Sequence, residues 1–234
     1  MITQNYREFY EDPDVWNHFD RWHRVTRQRI GKALHRLLGS ATETLRMVNV
    51  GSGGESYALS ADHQFHVDLV IERLPQRRSM MADIRSLPIV TATADVVVCV
   101  GSVINHVDVT LAIAELIRIM RPGGRIILEF DSTDGLNHSF SAAAANDSAT
   151  LKTFYNRRTV TITEYSRRYV EQLLEAGGVS VDHVVSFHIL SAAALAFKVP
   201  PSVASFLAHV DWIAVRFPRI QLRGSNLLVS GVRR

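Results

Sequence analysis

The run "ADVVVCVG", residues 94–101, carries no polar side chain between Asp95 and Gly101. A strand with one wet face alternates apolar and polar residues, so a strand apolar at every position has both faces covered. That is the mark of a parallel sheet lying between layers of helix. The chain around the run supplies both partners. Ahead of it, "TLRMVNVG" reads as a buried strand, and "HQFHVDLV", with Phe65, Val67 and Leu69 alternating, as another. Between them Ser52 to Leu59 reads as a short helix. Beyond the run, "VDVTLAIAELIRIM" reads as a helix stopped by Pro122, Gly123 and Gly124, with "RIILEFD" as the strand that follows. "EYSRRYVEQLLEAGG" is a further helix, with Thr163 as N-cap and Gly177 at its end. "VDHVVSFHIL" and "SNLLVSGV" close as strands, and "FSAAAAN" reads as a loop or a loose helix start. Residues 14–38 repeat Val15, Phe19, Trp22, Ile30, Leu34, Leu37 and Leu38 near helical spacing. The alternation predicts a doubly wound α/β sheet, with ligands outside the carboxyl ends of its strands.

One domain is expected over 1–234: a helical cap at 1–44, a core at 45–190, an insertion at 191–223 and a last strand at 224–234. With 234 residues, 47% of them hydrophobic, the chain can bury one sizeable core. The most apolar stretch is interrupted by Gly101 and Ser102, well short of a membrane span, so no membrane partner is expected. "MITQNYREFYEDPDVW" is polar and aromatic, with no apolar centre of a secretory leader. Cys99 is alone and cannot pair internally; inside a β-branched run it reads as an inert buried thiol. Together these set the expectation of a cytoplasmic protein. The formal charge is +3, and of the 26 basic residues only Lys32, Lys152 and Lys198 are lysine, which reads as codon usage rather than as a partner's imprint. "RWHRVTRQRIGKALHR", residues 21–36, is the nearest thing to a basic patch and reads as a solvated helix face before it reads as a nucleic-acid surface.

The strand "VNV" runs into Gly51, Gly53 and Gly54, where a backbone must bend sharply or let something approach. A dinucleotide fingerprint would want a third glycine where Ser56 stands, and a phosphate loop would want a lysine that "GSGGESY" lacks. Glu55 would repel a pyrophosphate seated at a helix start. A ligand without phosphate, carrying an ammonium group, tolerates it.

Five motifs in order carry a resemblance. "VNVGSGG" resembles the glycine-rich first motif of the class I S-adenosylmethionine-dependent methyltransferases, and "HVDLVIERL" is similar to their second, with Asp68 at the strand end, 17 residues after Gly51. "MADIRSLPI", "ADVVVCVGSVINHV" and "LIRIMRPGGRIILEF" resemble the third motif, the fourth-strand motif, and the helix, turn and fifth strand. The resemblance covers roughly residues 45–190. It implies a Rossmann-like, mainly parallel sheet whose last strand is antiparallel, S-adenosylmethionine as cofactor and S-adenosylhomocysteine as product. It also implies a cofactor site at Asn49, Gly51, Ser52, Gly53, Glu55, Asp68, Leu69, Asp83, Ile84, Gly101 and Ser102. Asp68 would hold the two ribose hydroxyls, since a carboxylate offers two acceptor oxygens. Asp83 would accept from the adenine amino group, with the Ile84 N–H donating to a ring nitrogen. Gly101 and Ser102 would flank the sulfonium. The family usually has an acidic residue where this chain has Asn49, and often another glycine where it has Glu55; Glu55 is expected to take over the charge that faces the ligand ammonium.

The acceptor is less constrained. The "N/D-P-P-Y/F" tetrapeptide of amino-methylating nucleic-acid enzymes is replaced by "GSVINH", and no Pro-Cys nucleophile is present. A small molecule methylated on O or N is expected, with nucleic acid disfavoured and the oligomeric state open, a homodimer included. The cap and the insertion would roof its pocket, with Tyr10, Trp16, Trp22 and His138 as candidate contacts. His106, after the fourth strand, is the candidate base, ahead of His138 and His188. No cluster has metal-site spacing, so no metal is expected. Two other readings compete: a non-catalytic relative that keeps the fold, and a nicotinamide-dependent oxidoreductase, which Ser56, Glu55 and the "RPGG" turn disfavour.

Overall fold

The structure, a computed structural model, describes residues 21–39, 45–57, 59, 64–155 and 158–234. Its first element is helix α1 (Arg21–Leu38), followed by strands β1 (Met47–Val50), β2 (Gln64–Asp68), β3 (Ser79–Met81) and β4 (Ala94–Cys99). Then come α2 (Val109–Ile119), β5 (Met120–Asp131), β6 (Ser148–Tyr155), β7 (Arg158–Tyr165), α3 (Arg167–Ala176) and β8 (Val179–Phe187). Three short helices, α4 (Ile189–Ala196), α5 (Pro201–Leu207) and α6 (Asp211–Ala214), precede β9 (Asn226–Arg233).

Seven strands form one sheet in the order β3-β2-β1-β4-β5-β9-β8. The first five are mutually parallel, and β9 runs antiparallel to both its neighbours, β5 and β8. The fully apolar run explains the layering. Alternate residues of a strand point to opposite faces, so Val97 and Cys99 join a core with Ile113, Leu116, Val170 and Leu174 of α2 and α3. Val96, Val98 and Val100 join the opposite core, against Ile30, Leu34 and Leu38 of α1. A Rossmann-like sheet with helices on both faces is the result.

Among the described residues the local structure departs from the sequence reading at several places. Among the described residues the helix expected at Ser52 to Leu59 is not seen: Gly51–Tyr57 are turn and irregular backbone, with Gly53, Gly54 and Tyr57 held at positive φ and glycine a poor helix former. Thr163 is a strand residue of β7, and the N-cap of α3 is Ser166, whose hydroxyl accepts from the Tyr169 N–H. Residues 148–165 form a separate antiparallel hairpin, β6–β7, with Ser148 opposite Tyr165 and Tyr155 opposite Arg158. The "RPGG" segment begins β5 rather than only ending α2, with an irregularity in register between Ala94 and Val96. "FSAAAAN" contains a single 3-10 turn, Ala142–Ala145.

Candidate active site

The carboxyl ends of β1 to β4 open on one cavity of about 420 Å³. At the end of β1 each glycine has its own reason. Gly51 sits at φ +69°, and a Cβ there would lie 2.4 Å from a methyl of Val103. Gly54 sits at φ +81°, where a Cβ would lie 2.1 Å from the Arg73 carbonyl oxygen. At Gly53 and Gly101 the situation reverses: both line the cavity, and an added Cβ would meet nothing within 4 Å. Their bare backbones leave room for a ligand to approach.

Asn49 and Ser52 hold this turn from behind rather than lining the cavity. The Asn49 amide, buried on β1, donates to the Glu55 carbonyl at 2.9 Å and to Gln64 Oε1 at 3.4 Å. Ser52 Oγ accepts from the Gly54 N–H at 3.2 Å and pairs with His66 Nδ1 at 3.1 Å. Burial lowers the pKa of that imidazole, favouring its neutral form. Glu55 does not take over a charge facing the ligand: its carboxylate is paired with Arg27 of α1 and accepts from the Tyr57 N–H at 2.8 Å. Arg27 supplies the counter-charge, and Glu55 is not among the residues that line the cavity.

Asp68, Leu69, Asp83 and Ile84 all line the cavity. Asp68 Oδ2 accepts from the Gly53 N–H at 2.7 Å and Oδ1 from the Val70 N–H at 3.0 Å, so this carboxylate shapes the glycine turn it faces. Each oxygen keeps a further lone pair for a ligand hydroxyl. Asp83 is gripped by Arg85, whose Nη2 donates at 2.6 Å and Nε at 3.0 Å, and the Arg85 hydrogen bonds hold its carboxyl below the ordinary carboxylate range. Arg85 and Arg73, which also line the cavity, were not singled out from sequence.

Beyond β4 the backbone is fixed by a buried carboxylate. Glu129 of β5 accepts from the N–H groups of Gly101 at 2.7 Å and Ser102 at 2.8 Å, and from the Asn226 amide at 2.8 Å. Ser102, in the left-handed region at φ 58°, donates through Oγ to Asp131 at 3.0 Å; it braces the turn and does not line the cavity. Burial raises the pKa of both carboxyls, and for Asp131 the neighbouring Glu129 and Glu164 add to the effect. Asn105, which sequence reasoning passed over, donates to the carbonyls of Asp131 at 3.0 Å and Thr163 at 2.8 Å. It ties the hairpin to the sheet. His106 lines the cavity beside it, and burial lowers its imidazole pKa to about 4. Thr150, Thr161 and Thr163 of β6 and β7 line the same cavity.

The roof is therefore this hairpin, and among the described residues neither the cap nor the insertion lines the cavity. Trp22 stacks on His188 with ring centroids 3.8 Å apart, which pins α1 to the sheet. His138 is buried against Glu164 at 2.5 Å. Neither is a cavity contact; Tyr10 and Trp16 lie outside the described residues. Cys99 is fully buried, and burial pushes its thiol pKa up, as an inert core residue requires.

This strand order, with ligand space at the carboxyl ends of β1 to β4, defines a doubly wound, Rossmann-like α/β fold. Residues 39–128 match the family model described as a methyltransferase domain. None of the curated protein sequences matches the chain significantly. Solved structures share the fold at low identity. One is a methyltransferase from Thermotoga maritima, described as a possible histamine N-methyltransferase, at 17% identity, covering 98% of each chain with a TM-score of 0.63. Another is 1,6-didemethyltoxoflavin-N1-methyltransferase from Burkholderia thailandensis, at 15% identity and TM-score 0.57, covering 97% of this chain and 87% of that one. A third is geranyl diphosphate C-methyltransferase from Streptomyces coelicolor, at 14% identity and TM-score 0.58, covering 88% and 77%. The chain shares the Rossmann-like fold of these methyltransferase structures, and residues 39–128 are the part that matches the methyltransferase domain.

Proposed function

We propose that the protein transfers a methyl group from S-adenosylmethionine to an oxygen or nitrogen of a small molecule. The observation that carries this reading is the single cavity that collects Gly51, Gly53, Asp68, Asp83, Ile84 and Gly101 from four adjacent strand ends. The residues fit the cofactor. Gly53 and Gly101 present backbone with open space where a Cβ would project. Asp68 offers free lone pairs for vicinal hydroxyls, and Asp83 with the Ile84 N–H offers an acceptor and a donor for an adenine edge. The solved neighbours from Burkholderia and Streptomyces were determined with S-adenosylhomocysteine bound. When bound, the cofactor supplies an electrophilic methyl group on a sulfonium. This chain's part is to align the acceptor opposite that methyl, exclude water and take up a proton. The threonines of the hairpin close the far wall, and alignment there accounts for much of the rate. His106, neutral above about pH 4, is placed to accept the acceptor's proton.

A nicotinamide dinucleotide is disfavoured on a structural point: Gly51–Tyr57 are non-helical, so no helix start stands within them to seat a pyrophosphate. Calorimetry with S-adenosylmethionine, S-adenosylhomocysteine and NAD tests the reading, followed by transfer of labelled methyl to a panel of hydroxyl and amine acceptors. Binding of the first two and methyl transfer to a panel member support it. Binding of NAD alone overturns it. Cofactor binding without turnover on any acceptor would assign the protein to the non-catalytic alternative.

A further inference from the structure

The helical insertion is built inside out. Its buried positions, Ser191, Ala192, Ala194, Ala204, Ser205, Ala208, Asp211 and Ala214 among the described residues, are all small or polar. Val203, Phe206, Leu207, Trp212, Ile213, Val215 and Phe217 face solvent. A surface helix normally buries its large apolar side chains. Phe197, at the end of α4, is 73% exposed and meets Phe140, 82% exposed, edge-on at 6.3 Å. Apolar residues gathered in this way mark a surface with a partner.

The charges on the same elements have one sign. Between Ile189 and Arg223 the only carboxylate is Asp211, 2% exposed and turned inward to accept from the N–H groups of Ile189 at 3.1 Å and Leu190 at 2.9 Å. Lys198, Arg216 and Arg219 are exposed. Helix α1, joined to the insertion by Arg29 donating to the Ala208 carbonyl at 3.1 Å, contains no carboxylate at all. The cations also lie on the rings: the Arg21 guanidinium is 3.2 Å from the Phe206 centroid, and that of Arg216 is 5.1 Å from Trp212.

We propose that the insertion and the first turn of α1 seat the protein on the surface of an anionic lipid bilayer. The aromatic and aliphatic side chains would enter the headgroup region while Arg21, Lys198, Arg216 and Arg219 meet lipid phosphates. Two other partners fit less well. A second copy docking this face on itself would bring the same cations together, with no exposed carboxylate among the described residues of α1 and the insertion to meet them. A nucleic acid would leave Val203, Leu207, Ile213 and Val215 in water, since aliphatic side chains offer no ring for bases to stack on. Among the described residues no helix is long and apolar enough to cross a membrane, and the contact proposed is with the bilayer surface. The proposal departs from the expectation of no membrane partner, which rested on the lack of a spanning stretch. It does not depend on the cofactor reading.

The test is sedimentation of the full chain with vesicles of phosphatidylcholine alone or of equal parts phosphatidylcholine and phosphatidylglycerol. Binding to the anionic vesicles, weakened by salt, is expected. Replacing Trp212→Ser and Phe217→Ser together should lower partitioning by roughly tenfold or more. Arg216→Glu with Arg219→Glu should remove the preference for anionic lipid, and both double variants should keep native thermal unfolding. Absence of vesicle binding, or equal binding by the variants, overturns the proposal. So does a dimer in sedimentation velocity that the aromatic double variant dissociates, which assigns the face to a second copy. Tighter retention by a single-stranded oligonucleotide than by vesicles assigns it to nucleic acid.

Discussion

Asp68 has two duties, to the glycine turn and to the ligand space, and they separate by substitution. Asp68→Asn keeps one acceptor oxygen for the Gly53 N–H but loses the charge, whereas Asp68→Ala loses both. Cofactor affinity should fall by ~1.5–3 kcal/mol in the alanine variant and by less in the asparagine variant, by calorimetry. His106 has its own pH signature. Its pKa is lowered by burial to about 4, so the base form persists through neutral pH and turnover should fall only as pH drops through about 4, not near 6.5. In the His106→Ala variant that acid limb should vanish and turnover should drop by roughly 10²–10⁴-fold, with cofactor affinity nearly unchanged. Near-native turnover with the acid limb intact would exclude it as the base. Because the folded pKa lies below the unfolded one, the unfolded chain takes up the proton first. His106 therefore costs stability as pH falls from 6.5 towards 4. Asp131 has the opposite sign. Its folded pKa is raised, so the folded state holds the proton more tightly and stability is lost as pH climbs past the ordinary carboxylate value. Asp131→Asn keeps an acceptor for Ser102 and Asn226 and should raise the melting temperature at neutral pH. A lower melting temperature would mean that the ionised carboxylate is needed there.

The element that most changes the picture of the site is the β6–β7 hairpin. Its roof of threonines was visible in "TVTITEY", where Val160 and Ile162 alternate with Thr159, Thr161 and Thr163 at the period of a strand. The helical signal of the following "RRYVEQLLEAGG" absorbed that stretch, and Thr163 passed as a cap because Ser166, three residues on, is an equally good capping residue. The strand ends and their motifs were legible because they repeat a strong local pattern. The hairpin's docking depends on Asn105, whose contacts with Asp131 and Thr163 span 26 and 58 residues of sequence and leave no local trace. Replacing residues 148–165 by a short flexible linker should leave cofactor binding largely in place and remove turnover, since the far wall of the cavity goes with it. Calorimetry and a methyl-transfer assay on the same preparation separate the two effects. Retained turnover would show that the threonine wall does not align the acceptor.

For the molecule as a whole, stability rests on two cores, one on each face of the sheet. Leu116 is fully buried in the larger one, and Leu116→Ala should cost ~2–5 kcal/mol in denaturant unfolding. Leu111, on the same helix and 52% exposed, should cost under ~0.5 kcal/mol when replaced by alanine. The layering was legible from one run of valines. The hairpin that covers the site was not, because it is placed by contacts between distant parts of the chain. The position of β9 has a consequence for how the protein is made. It is the last strand in chain order yet lies inside the sheet, hydrogen-bonded to β5 on one side and β8 on the other. Until residues 226–233 have left the ribosome, β5 and β8 each present an open edge to whatever strand is nearby. A nascent chain stalled before Asn226 is therefore a split sheet with two adhesive borders, and its safe passage depends on how quickly the final strand arrives or a chaperone covers the gap.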